Sequence, residues 1–365
     1  MRNTTTVVSL GTSFEAQSGH RNYGIYVSAG DKTIVVHGWN YDPGTADAFL
    51  ALPCVRLAVD QYVYYGISYR HFFDTQLLFV GCEDNTIINF DSTTVTLNRM
   101  ETYNNFTFSD NTGARIVSNK PIAVFPGSSC TSLPGGMSGR DHLTEQFPPT
   151  AVWGTHFLSA SFPGIPSGAL YRILTSKPST TVTVNCTTYS QPQTYSLTTA
   201  GAWQEFNTSD DSFCVIESNN PLLVVEFIMG SISPLLDPSQ IMVPPIKQYS
   251  NAYLFNARSE FSAHYITMFV SPEHFQPEKI FVDDVSQEGT NWIAIYCADG
   301  TVCGYTAYAS LGVGDHRVYH NDTSAQIGLV AYGYSHGDSY GYPVGLRPTP
   351  SECMHVIDYL CPTFF

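Results

Sequence analysis

Apolar residues along this chain fall into short runs, many of them alternating with polar positions, and Gly, Pro, Asn or Ser separates the runs every 8 to 12 residues. "TVTVN" at 181–185 shows the pattern, with Val at alternate positions. A period of two buries one face of a strand and wets the other, whereas no window keeps the 3.6-residue period of a helix for more than a few turns. Between 154 and 229 the pattern predicts seven strands, at about 154–161, 169–176, 180–187, 193–198, 201–207, 213–218 and 221–229. Seven strands in about 95 residues suit a two-sheet antiparallel sandwich. A β-propeller with two four-stranded blades per repeat is the alternative for that length, and the odd strand number favours the sandwich. The expected class is all-β.

The chain also echoes itself. "QFPPTAVWGTHFL" (146–158) lies without a gap on "MVPPIKQYSNAYL" (242–254), which puts Pro148-Pro149 on Pro244-Pro245 and Phe157 on Tyr253, a period near 96. "SNKP" at 118–121 returns as "SNNP" at 218–221, each time ahead of an apolar run. Asn and Ser bond to nearby backbone, while Pro fixes its own φ and offers no N–H, so the motif is expected to make a tight turn that opens the last strand of each module. The resulting division is a tandem array of sandwich-like modules of about 95 residues. It runs as a partial N-terminal β module at 1–52, β modules at 53–146, 147–241 and 242–345, and a C-terminal tail at 346–365, stacked end to end as a rigid spacer. A length of 365 residues agrees, since single cores stop growing near roughly 250 to 300 residues.

Composition sharpens this. Hydrophobic residues at 43% supply an interior, charged residues reach only 13%, and 23 Tyr and 22 Phe favour strands. With 16 Lys and Arg against 31 Asp and Glu, no basic cluster exists to neutralise phosphates, so nucleic acid and anionic membrane are not expected partners. The longest apolar stretch, "PLLVVEFIMG", has ten residues interrupted by Glu226, too short for a helix to cross a bilayer of about 30 Å. The opening "MRNTTTVVSL" lacks the apolar core of a signal peptide, which leaves an intracellular chain or one whose leader lies upstream or has been removed.

Cysteine usage favours the second. Nine are present with no C-x-x-C pair and no spacing that suggests zinc. In "YCADGTVCGY" a turn at Asp299-Gly300-Thr301 would set Cys297 opposite Cys303 across a hairpin. Cys54, Cys82, Cys186, Cys214, Cys353 and Cys361 are further disulfide candidates, and Asn3, Asn105, Asn185, Asn207 and Asn321 head N-glycosylation sequons. The reading is a secreted, extracellular glycoprotein.

Candidate chemistry is sparse. Asp141, His142 and Glu145 could form an acid/base set, but sequence neighbours seldom converge on one substrate atom, and a hydrogen-bonded connector before Pro148 is the expected role. Ser138 in "PGGMSGR" lacks the strand-turn-helix setting of a nucleophile elbow. His316 and His320 on one strand would stand about 13 Å apart, beyond shared ligation. Asp210-Asp211 and Asp283-Asp284 read as solvated turns rather than calcium loops. The Tyr-rich "YGYSHGDSYGY" reads as a packed strand of the last module rather than a binding surface. No catalytic residue, metal site or cofactor is expected.

One block is specific. In "SNKPIAVFPGSSC" followed by "GRDHLTEQFPPTAVWGTHF", the Pro-x-x-Val strand ending in Gly127, the run Asp141-His142-Leu143, Glu145-Gln146, Pro148-Pro149 and Trp153-Gly154 resemble the N-terminal domain of the IgG Fc-binding protein family of secreted mucus and adhesion proteins. Near the end, Tyr340, Gly341, Tyr342, Pro343 and Gly345 are similar to the family's closing signature. Members typically carry a Cys directly before the Asp-His pair, partnering the Cys after the strand; Arg140 stands there in this chain and Cys130 remains. The resemblance therefore implies a Cys130 that pairs with Cys54 or Cys82, bridges to another chain or stays free. It also implies a non-catalytic adhesion or scaffold module that binds glycoproteins or other extracellular proteins, or self-associates in mucus- or matrix-like structures. Fc binding itself is not carried over, because fold kinship does not transfer a ligand. Such a module predicts a broad, shallow surface and no shifted carboxylate cluster in a deep cleft. The alternative is a carbohydrate-active enzyme or calcium-dependent lectin, which would set two facing carboxylates in an aromatic-lined pocket.

Overall fold

The computed structural model describes residues 5–11, 17–30, 33–54, 61–136, 139–163, 165, 167–232 and 235–347. Among them every strand pairing in the sheets is antiparallel and no α-helix is present. The fold is all-β, with sheets packed face to face.

The strands group into three units. The first joins a five-stranded sheet (Gly19–Arg21, Thr102–Thr107, Thr75–Gly81, Ile122–Thr131 and Asp141–Thr144, in spatial order) to a four-stranded one (Tyr62–Tyr65, Arg115–Ser118, Thr86–Phe90, Thr93–Leu97). Ile88, Phe90 and Ile116 of the smaller sheet meet Leu77, Phe79 and Val124 of the larger. The third unit repeats that plan, with Ala252–Ala257, Gly314–His320, Ile280–Val282 and Val285–Ser286 facing Ile293–Tyr296, Val302–Leu311, Ala263–Val270, Ile327–Ser335 and Asp338–Pro343. In the second unit, the strand Phe213–Ile228 belongs to both layers: its first half pairs with Gly154–Ala160 and Thr180–Cys186, its second with Ala169–Thr175 and Ser239–Met242.

That long strand revises the Ser-Asn-x-Pro reading. Ser118 Oγ donates to the Lys120 carbonyl at 2.7 Å and Ser218 Oγ to that of Asn220 at 2.6 Å, while Asn119 and Asn219 each accept a backbone N–H, from Ile87 and Thr181, at 2.8 Å. The local chemistry recurs, but at 218–221 the chain does not turn back. It runs on as one continuous strand that joins both groups of strands into a single seven-stranded sheet, the device by which a strand makes the corner of a sandwich. Nor is the apolar run the last strand, because Asp141–Thr144 and Ser239–Met242 follow it. Asn219→Ala is expected to cost about 1 kcal/mol by removing the hydrogen bond from the exposed Thr181 N–H, read as a lower urea midpoint at an unchanged slope.

The units pack side by side rather than end to end. Every residue of Ala169–Thr175 is buried, because alternate side chains enter different cores: Ala169, Tyr171 and Ile173 point into the second unit, Leu170 and Leu174 into a core shared with Tyr65, Leu143 and Phe147 of the first. A further core joins Leu158, Val215 and Ile228 to Phe269, Val330 and Tyr332 of the third. The described N-terminal residues build no sandwich of their own. Gly19–Arg21 adds an edge to the first unit, and the hairpin Val36–Asp42/Thr45–Ala51 inserts Ala46 and Ala48 into the core of the third. Its tight turn uses Gly44 at φ +90°, a conformation open to Gly at no steric cost.

Disulfides join Cys54 to Cys82, Cys186 to Cys214 and Cys297 to Cys303. Cys130 is free, so pairing with Cys54 or Cys82 is excluded. Cys353 and Cys361 lie outside the described residues.

Candidate functional site

The hairpin strand Thr45–Ala51 has a free edge, and carboxylates complete it. Asp141 Oδ1 accepts the Ala46 N–H at 2.6 Å, Glu145 Oε1 that of Leu50 at 3.2 Å, and Gln146 Oε1 that of Leu52 at 2.8 Å. In return Asp47 accepts the N–H of Thr144 at 3.0 Å and of Gln240 at 3.3 Å, with Ser239 Oγ at 2.7 Å. Side-chain oxygens thus stand where ladder carbonyls would, because a buried strand edge needs every N–H satisfied. The three units meet at this junction.

The carboxyl groups there are electrostatically unusual. Burial pushes Asp47 up to about 8 and Asp237 to about 7. Burial also holds Asp141 and Glu145 well above the usual carboxylate range, with the charge of Asp47 adding to both. A shifted carboxylate cluster therefore exists, whereas the sequence-based expectation concerns such a cluster only in a deep cleft. It is sealed inside the protein rather than open in a cleft, Asp47, Asp141 and Glu145 being fully buried. No substrate could reach it without separating the units, so acid/base catalysis does not follow from it.

The other residues of the specific block are structural. Pro148 offers its carbonyl to Trp153 Nε1 at 3.1 Å, and the 3-10 turn Thr150–Val152 follows Pro149 much as Ile246–Gln248 follows Pro245. Gly154 leaves room for Pro245, whose side chain a Cβ there would meet at 2.3 Å. His142 is half-buried and its Nε2 accepts from Asn40 Nδ2 at 3.0 Å. Tyr340 and Tyr342 sit in the core of the third unit, and Pro343 closes its last strand opposite Val330.

His316 faces Asp283 at 2.7 Å while His320 accepts from the Asp322 backbone at 2.9 Å, so the two imidazoles serve different partners. Asp283 and Asp284 form the positive-φ turn between Ile280–Val282 and Val285–Ser286, and Asp210-Asp211 an exposed one. Of the sequon asparagines, Asn207 and Asn321 are exposed. Asn105 and Asn185 are half-buried, and Asn185 Nδ2 donates to the Tyr296 carbonyl at 2.8 Å. Asn3 and Ser138 lie outside the described residues.

The exposed chemistry lies beside Cys130, on the first unit. Phe72 is 62% exposed at φ +75°, Phe108 is 68% exposed and Phe73 is 42% exposed. The Arg140 guanidinium stands 5.5 Å from the Phe72 ring and 5.6 Å from that of Phe73, and Arg70 stands 5.7 Å from Phe108. Holding a non-Gly residue at positive φ costs energy, and here it presents a large apolar ring to water. Arg140, the departure from the family pattern, thus stacks on the patch instead of bridging to Cys130. Burial pushes the Cys130 thiol up, which keeps it a thiol at neutral pH.

Sequence reasoning missed these aromatics, Asp47 and Asp237, and two buried networks built on Arg172 and Glu226. The available signal was a lone charge inside an apolar strand, as in "ALYRILT" and "PLLVVEF". Such charges are almost never fully buried without partners.

The sequence profile described as IgGFc binding protein matches residues 47–333. The human (Homo sapiens) IgGFc-binding protein is 26% identical over 149 residues, 40% of this chain and 3% of that protein, so the match spans a small fraction of its length. No solved structure matches. The profile begins at Asp47, the hairpin aspartate of the junction, and ends beyond Tyr332, within the last sheet of the third unit, taking in all three units. With well over half of its length matched, the chain belongs to the IgGFc binding protein family.

Proposed function

We propose that this protein is a non-catalytic extracellular binding module which holds glycoproteins, or further copies of itself, through the Phe72, Phe73 and Phe108 patch. The observation that carries this reading is the pairing of exposed aromatic rings with stacked guanidiniums on a chain of net charge −15. Aromatic and Arg side chains dominate binding energy at protein interfaces, and Arg carries paired donors for the carboxylates of acidic glycoproteins. Family membership and three disulfides support the extracellular setting. The enzyme alternative has no support from the junction, where the carboxylates are closed to substrate.

The test is surface plasmon resonance with the glycosylated protein over immobilised mucin glycoprotein, IgG Fc and the protein itself. Phe72→Ala combined with Phe73→Ala is expected to weaken wild-type binding at least tenfold without changing the melting temperature. Unchanged affinity would remove the patch from the reading, and wild-type protein silent on all three surfaces would overturn the function.

A further inference from the structure

The second and third units meet along a face that is dry at Leu158 and Val215 and open to water two residues further on, at His156 and Glu217. Across one ladder His156 stands opposite Glu217, and Leu158 opposite Val215. Leu158 and Val215 pack into the core shared with the third unit, so strand alternation turns His156 and Glu217 to the same side. Facing them is the hairpin Ile293–Tyr296/Val302–Leu311, whose arms Cys297 and Cys303 join beside the turn. Contact is close here. Leu158 leaves no room for a Cβ on Gly304, and Asn185 Nδ2 donates to the Tyr296 carbonyl at 2.8 Å.

Four potential ligands converge at this rim. A Glu217 carboxylate oxygen and the sulfurs of Cys297 and Cys303 lie within 4.8 Å of one another, and His156 Nε2 stands 3.7 Å from Glu217 Oε1. His156 Nδ1 already bonds to Thr155 Oγ at 2.8 Å. That leaves Nε2 for another partner, the arrangement that orients a metal-ligating imidazole. Two sulfurs, one imidazole nitrogen and one carboxylate oxygen make a tetrahedral zinc set, whose bonds of about 2.0 to 2.3 Å place ligand atoms roughly 3.3 to 3.8 Å apart. The three atoms that lie within 4.8 Å therefore need to close by only about 1 Å. Their side chains are free to do so, those of His156 and Glu217 being 54% and 33% exposed.

We infer that this rim is a zinc site gated by the Cys297–Cys303 bond: with the sulfurs joined it takes no metal, and with them reduced Cys297, Cys303, Glu217 and His156 hold one ion that staples the second unit to the third. A protein dithiol supplies the two electrons and two protons. One of its thiolates attacks a sulfur of the pair, its second thiol resolves the mixed disulfide, and it ends as a disulfide while Cys297 and Cys303 are left as thiols. Zinc then displaces both thiol protons to solvent. This bond closes a separation of six residues, against 28 for each of the other two, and a small loop gains least from its cross-link. The turn outlasts it. Cys297 N–H donates to the Thr301 carbonyl at 2.8 Å, Gly300 N–H to the Cys297 carbonyl at 3.0 Å and Thr301 N–H to Asp299 Oδ1 at 2.9 Å, so the freed thiols stay across the hairpin from each other.

The experiment is titration of zinc, and of cobalt as its spectroscopic substitute, into the full-length protein at neutral pH, before and after a phosphine opens the disulfide under argon. Expected for the reduced protein are one zinc per chain with Kd of about 1 μM or tighter, and with cobalt a thiolate charge-transfer band and the intense visible bands of tetrahedral coordination. The oxidised protein should show neither. Glu217→Gln and His156→Ala leave the cysteines in place and should each weaken zinc binding at least tenfold, so one suffices if the other misfolds. Cys297→Ser combined with Cys303→Ser should abolish the charge-transfer band. The site is overturned if the reduced protein binds no zinc, or if it loses its near-ultraviolet circular dichroism when the disulfide opens. Wild-type affinity in both Glu217→Gln and His156→Ala would overturn it too, as would a charge-transfer band that survives the double serine variant.

Discussion

Replacing Arg172 by Ala should lower stability by about 3–5 kcal/mol, because one partner of a buried ionic network is removed and the others are left without it. Arg172 Nε donates to Glu205 at 2.9 Å, and its Nη1 donates to Asp110 at 2.7 Å, to Thr112 Oγ at 2.7 Å and to the Ser68 carbonyl. Its guanidinium lies 5.1 Å from the Tyr69 ring and 4.7 Å from that of Trp203. Glu205 and Trp203 belong to the second unit, and Ser68, Asp110 and Thr112 to the first. One side chain thus fastens two units that share a core on either side of it. The Arg172→Lys variant keeps the charge but not the planar fork, so it cannot reach both carboxylates and should recover less than half of the loss. Chemical denaturation checks the magnitude. Limited proteolysis checks the place, since cleavage should begin in the freed segment around Ser68 to Thr112. A denaturation curve within 0.5 kcal/mol of wild type would show that the network adds nothing to the aromatic stacking around it.

Arg172 also shows which parts of the molecule were legible in the chain. The strands between 154 and 229 were, because Val, Thr and Tyr alternate there with period two and Gly or Ser marks each turn; the first five of the seven fall within a residue or two of their observed bounds. The seventh fused with the sixth because the Ser-Asn-x-Pro bonds that suggest a turn also permit a continuous strand. Packing of the units was not legible. Alternation in "ALYRILT" is hidden, because both faces of that strand meet apolar cores and the arginine reaches partners 60 to 104 residues away. The junction was half legible: Asp141 and Glu145 stand in a conspicuous block, but Asp47 acquires its meaning from Thr144 and Ser239, 97 and 192 residues distant. Local pattern reports which face of an element is buried. It does not report what the buried face meets.

The second large effect is a fall in stability as pH rises. Burial pushes Glu226 up to about 8, with Tyr171 OH at 2.6 Å and Ser159 Oγ at 2.8 Å as its partners. Asp237 is raised to about 7. In the unfolded chain these carboxyls titrate near 4, so between about pH 4 and 8 the folded state holds protons that the unfolded state has released. Stability therefore decreases with pH across that window, by about 1.4 kcal/mol per unit for each such group at full effect, and their contribution is lost once pH passes the folded values. The melting temperature should peak near pH 5 and decline towards pH 8. Asp47 is raised too, yet its charge acts on Asp141 and Glu145 as well, so Glu226, on which no neighbouring carboxylate acts, is the cleaner probe. Glu226→Gln keeps an acceptor for Tyr171 without a charge to bury, and should match wild type near pH 5, exceed it at pH 8 and flatten the slope between. A wild-type profile level from pH 5 to 8, or one that Glu226→Gln leaves unchanged, would mean that Glu226 is ionised in the core and that its two hydroxyl partners compensate the charge.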